Sequence, residues 1–87
     1  MSINNSVAKY EFQTSDMIEI QVLLYFGLEP AAIKADSTDG QRKIFVFKKS
    51  EELGEIITRL SDGKLLVEPV RFVGAQKILK QKLKYFV

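Results

Sequence analysis

The chain contains no cysteine and no histidine. The first absence removes disulfide frameworks, thiolate metal sites and cysteine nucleophiles together. The second goes further: without imidazole there is no Ser-His-Asp or Cys-His catalysis, no histidine ligand for a metal, and none of the commonest general acid–base group. Long hydrophobic runs are missing too. The longest, Val22 to Phe26, is far too short to span a bilayer, and the opening MSINNSVAKYEF has no basic segment followed by an apolar one. The five glycines, at 27, 40, 54, 63 and 74, make neither a dinucleotide fingerprint nor a phosphate loop. These absences predict a cytoplasmic chain that is not an enzyme, uses no cofactor or metal, takes no small-molecule substrate and has no membrane role.

Acid is missing from one end. The chain holds 13 basic and 11 acidic residues for a net +2, but residues 1–70 carry 8 and 11, net −3, while residues 71–87 carry 5 and 0, net +5. Such polarity bears on partners and association rates, and says nothing of the fold. At 87 residues the chain is expected to form one domain over 8–87, with residues 1–7 a flexible N-terminus, and to bury only about 60 to 65% of the surface its unfolded form exposes.

What is present alternates between two periods. Tyr10 and Phe12 alternate with Lys9, Glu11 and Gln13, the period of a half-buried strand. Thr14 or Ser15 is the expected N-cap of a first helix, with Asp16 in its first turn and Gly27 closing it. Strands over 31–37 and 42–49 flank TDGQ, where Asp39 and Gly40 both accept positive φ and predict a tight hairpin. Ser50 caps a second helix whose Leu53, Ile56, Ile57 and Leu60 fall on one stripe, ending near Gly63. KLLVE at 64–68 reads as a short strand or extended link, and Pro69 opens a final helix. The order, β-α-β-β-α-β with an extra amphipathic C-terminal helix, is that of a ferredoxin-like split β-α-β unit in an α+β domain. Ile44 and Val46 against Phe45 and Phe47 make the second hairpin strand apolar on both faces, which suits a central strand.

Two features suggest partners. Val22, Leu23, Leu24, Tyr25 and Phe26 surround the C-terminal half of the first helix with apolar side chains, more than one sheet face can cover. Val22, Tyr25 and Phe26 are therefore a candidate surface for self-association or for cover by the chain's own last helix. At 100° per residue that last helix sets Phe72, Ala75, Leu79, Leu83 and Phe86 on one side and Lys77, Lys80 and Lys84 on the other, with Arg71 and Lys82 near the edges. A solvated core helix accounts for this pattern. The functional alternative is a strip of ammonium groups spanning about 10 Å that meets phosphates without reading sequence. Phe45 and Phe47 have the two-residue spacing of the RNA-recognition motif, but bulky Ile44 and Val46 stand where that motif needs small residues, which favours core packing. Glu51, Glu52 and Glu55 fit an acidic first turn better than a metal site.

With TSD opening the first helix, Gly27 closing it, FVF in the central strand, SEEL starting the second helix, DGKLLVEP leading out of it and Phe72 in the third, residues 9–86 resemble a family of small uncharacterised domains from prokaryotes and phages or other mobile elements. Glu68 stands where that pattern leads one to expect Asp. The family has no assigned activity, so the resemblance implies a setting and no functional residue. The expected function is a non-enzymatic interaction module that acts as a homodimer or docks on a protein partner. The second reading is non-sequence-specific nucleic-acid binding through Lys77, Lys80, Lys84, Arg71 and Lys82.

Overall fold

The computed structural model describes residues 10–85, so the reading of 1–7 as a flexible N-terminus and the placing of Phe86 lie outside the described residues. The elements run β1 (Glu11–Thr14), α1 (Met17–Tyr25), β2 (Ala32–Ala35), β3 (Lys43–Lys48), α2 (Glu51–Ser61) and α3 (Pro69–Tyr85). The strands form one antiparallel sheet in the order β1-β3-β2. β3 is central, as its two apolar faces predict: Phe45 and Phe47 are buried in the main core, while Val46 is buried between its cross-strand neighbours Gln13 and Ala32.

The N-cap of α1 is Asp16, two residues later than Thr14 and one later than Ser15. Its Oδ1 accepts from the backbone N–H of Ile18 at 2.9 Å and of Glu19 at 3.2 Å. Thr14 is still in β1, and its hydroxyl accepts from Asp16 N–H at 3.0 Å while donating to Glu19 Oε1 at 2.6 Å. Gly27, at φ 86°, closes α1 as expected. Its N–H donates to Leu24 O and that of Leu28 to Leu23 O, the paired bonds of a Schellman motif.

The hairpin forms where TDGQ marks it, by another turn. Neither Asp39 nor Gly40 has positive φ. Instead Asp36 Oδ1 accepts from the Thr38 backbone N–H and hydroxyl, both at 2.8 Å, and Asp39 Oδ1 accepts from Gln41 N–H at 3.0 Å. Two aspartate-capped turns in series make a loop longer than a two-residue hairpin needs, and β2 is correspondingly shorter than the 31–37 run.

No strand forms at 64–68. Lys64 N–H is taken by Arg59 O in the C-terminal motif of α2, Glu68 N–H donates to the Tyr25 hydroxyl, and Pro69 has no N–H to give. Both ends of the segment are thus tied to helices, and it is an extended link with Leu66 exposed. The described fold is thus a small α+β domain of three strands and three helices.

α1 runs through the middle of the core. Ile20, Gln21, Val22, Leu23 and Leu24 are buried in succession, all round the helix. The sheet gives Phe45 and Phe47, α2 gives Leu53 and Ile56, and α3 gives Ala75 and Leu79. The cover that α1 needed is therefore the last helix of the same chain.

Candidate docking face

α3 is fixed to α1 by polar contacts as well as by its apolar stripe. Gln21, buried in α1, donates through Nε2 to Phe72 O at 2.9 Å. The Tyr25 hydroxyl accepts from Glu68 N–H at 2.8 Å, and the Tyr25 ring meets Phe26 and Phe72 edge-on with centroids 4.8 and 5.9 Å away. Glu68 is the N-cap of α3, its carboxylate accepting from Arg71 N–H at 2.8 Å and Val70 N–H at 3.1 Å. Those bonds, Arg71's first, hold its carboxyl below the ordinary value of 4.5.

The five candidate cations separate into two groups. Arg71 places its guanidinium over the Tyr25 ring, 5.0 Å from the centroid. Lys82 is half-buried and pairs with Glu29 Oε1 at 2.9 Å. Both look inward along one edge of α3. Lys77, Lys80 and Lys84 are exposed on the outer side and make no ion pair among the described residues, Lys84 placing its ammonium over the Tyr85 ring, 5.9 Å from the centroid. Of the three candidate cover positions, Val22 in α1 is buried, and Tyr25 and the C-cap Phe26 are partly buried.

Sequence reading missed the valines beside the lysines. Val70 is 76% and Val73 53% exposed, and with Pro69, Gly74 and Lys77 they border an open groove of about 470 Å³. The same 100° projection that separates the lysines from Leu79 puts both valines on the lysine side. Gln21 and Glu68 carried no comparable signal, since each acts across more than 40 residues of chain or through a cap that glutamate seldom makes.

A second cleft, of about 320 Å³, lies between α2 and the 64–66 link, lined by apolar Phe26, Ile56 and Leu65 and by charged Glu52, Glu55 and Arg59. Its charges are of both signs, so it selects no sign of partner. The outer side of α3 carries one sign only. Phe45 and Phe47 are closed to bases by burial, and among the described residues no group of three acidic side chains is placed to hold a metal ion. Nor is any helix among them long and apolar enough to cross a membrane.

Residues 9–86 match the family described as a domain of unknown function (DUF5659), and the chain belongs to that family. No curated protein and no solved structure matches it.

Proposed function

We propose that this member of the family is a non-enzymatic docking module that binds another protein through the outer side of α3. One observation carries the reading: on a helix already anchored by its inner side, the outer side sets exposed Val70 and Val73 beside Lys77, Lys80 and Lys84, which form no ion pair among the described residues. Two exposed valines cost a helix propensity and solubility without stabilising the core, which a purely solvated face would avoid. Self-association is less well supported, because α3 already occupies the α1 surface that would drive it, and two copies meeting through α3 would bring like charges together. A split β-α-β arrangement without a fourth strand among the described residues, with α3 packed on α1, is compatible with the sheet order β1-β3-β2. A cytoplasmic setting in a phage or other mobile element fits a small protein that works by occupying a partner's surface.

The runner-up is nucleic-acid binding without sequence preference, favoured by three exposed lysines over about 10 Å of helix. It leaves the valines without a role.

Photocrosslinking residues placed one at a time at Val73, at Lys80 and, as a control, at exposed Thr58 of α2 separate the readings in the native cells. Docking predicts adducts to a different protein from the first two positions, resistant to nuclease and absent from the third. Nuclease-sensitive adducts would transfer the function to the runner-up, and adducts of the chain with itself would establish self-association. Adducts spread equally over all three positions, or none at all, would remove the docking reading.

A further inference from the structure

We infer that the segment received by this face is an amphipathic α-helix lying antiparallel to α3, acidic in its first half and apolar in its second. The inference rests on the docking reading and adds the partner's chemistry and direction. Its basis is that the two characters of the face are segregated along the helix axis. The groove bordered by Pro69, Val70, Val73 and Gly74 lies at the start of α3, and Lys77, Lys80 and Lys84 continue from it toward the C-terminus.

A helix is the occupant that follows this row. Val70, Val73, Lys77, Lys80 and Lys84 recur at intervals of three and four, a nearly straight line about 21 Å long at ~1.5 Å per residue. Another helix presents side chains at the same intervals, and Gly74 lets it approach closely, since no side chain stands there and nothing lies within 4 Å of where a Cβ would be. Acid is required by charge. α3 carries no acidic residue, and the two nearby carboxylates are engaged, Glu29 by Lys82 and Glu68 by the backbone of the first turn.

Direction follows from the helix dipoles. The last turns of α3 carry the negative pole of its backbone, and carboxylates on a partner helix are most stable in that helix's first turns, near its positive pole. Only the antiparallel arrangement sets those first turns against Lys77, Lys80 and Lys84. The parallel arrangement would need acids at the partner's C-terminal end, where its own dipole opposes them, and would align like poles.

The probe is a synthetic helix-forming peptide with three glutamates followed by two leucines, spaced in reverse as Lys84, Lys80, Lys77, Val73 and Val70 are spaced. Binding to the full chain is read by fluorescence anisotropy, with circular dichroism confirming that each variant stays folded. Saturable binding that weakens as salt rises is expected. Replacing the glutamates by glutamine should cost about tenfold in affinity, and placing the leucines before the glutamates should cost a similar factor. Val73→Asp should abolish binding. The triple variant Lys77→Glu, Lys80→Glu, Lys84→Glu should reject the acidic peptide and accept one with lysines in place of its glutamates. Equal affinity for the glutamine peptide, equal affinity for the reordered peptide, indifference to Val73→Asp, or no binding by any peptide would each overturn the inference. Nuclease-resistant protein adducts from Val73 alongside such a failure would keep the docking reading and reject the acidic antiparallel helix alone.

Discussion

Glu68 serves two helices at once. Its backbone N–H reaches the Tyr25 hydroxyl of α1, its carbonyl accepts from Phe72 N–H, and its carboxylate caps α3 through Arg71 and Val70. The capped carboxylate is favoured in its charged form, so its folded value lies below 4.5. A carboxyl lowered in this way contributes stability that is present above the unfolded value and is lost as pH falls through the folded one. Glu68→Gln keeps an acceptor but removes the charge. Urea unfolding of both forms across pH should show the wild type more stable near neutrality, with the difference shrinking from pH 4.5 downward and gone once the Glu68 carboxyl is protonated in the folded as well as the unfolded state. Asp36 is lowered too, chiefly by the Thr38 backbone N–H, but it is common to both proteins and cancels in the difference. A gap that stays constant through the acid range would mean that the side chain acts by shape alone. Of this arrangement only Pro69 at the first helical position was legible in the sequence. That Tyr25 would meet Glu68 depends on the packing of α3 on α1, which no local pattern encodes.

The helix ends separate two glycines that composition treats alike. Gly63 closes α2 at φ 71°, with its N–H on Leu60 O and that of Lys64 on Arg59 O. Gly54 lies inside the same helix with nothing within 4 Å of its Cβ position. Gly63→Ala forces an L side chain into left-handed geometry and should destabilise by about 1 to 2 kcal/mol. Gly54→Ala replaces a poor helix former by the best one and should stabilise by about 0.5 to 1 kcal/mol. Chemical denaturation of the two variants checks both signs, and a shared sign would contradict the assignment of one glycine to the cap and the other to the helix interior. Elements written into local chemistry were legible: Ser50 caps α2 by accepting from Leu53 N–H at 3.1 Å, and Gly27 and Gly63 sit at the two helix exits. Where two residues compete for one role, the sequence could not decide. Asp16 took the cap from Thr14 because Thr14 was already committed to β1, pairing opposite Phe45. The 64–68 segment forms a link and not a strand, its two ends tied to α2 and to Tyr25, contacts set only once the helices pack.

At the scale of the whole molecule, the two sides of α3 answer to different demands and should be separable by mutation. The inner side closes the core: Ala75 and Leu79 are buried, and Phe72 and Leu83 pack against the same cluster around α1. Burial of a large aliphatic or aromatic side chain contributes about 1.5 to 3 kcal/mol, and losing α3 would forfeit several of these while exposing Val22 and its neighbours. A domain of this size has a total stability of only about 4 to 13 kcal/mol, so a chain ending before Pro69 should show no cooperative thermal transition. The outer side contributes little to that sum. Of the three lysines only Lys84 lies in the last turn of α3, where a lysine is worth about 0.3 to 1 kcal/mol through the dipole and its reversal about twice that, so the triple lysine-to-glutamate variant should still melt cooperatively, about 2 to 15 °C below the wild type. Calorimetry of the truncated chain, the triple variant and the wild type measures both effects together. A truncated chain that melts cooperatively would show α3 to be an appendage resting on a core complete without it. A triple variant that fails to fold would show the lysines to be structural, and the outer side would then lose its standing as a surface free to receive a partner.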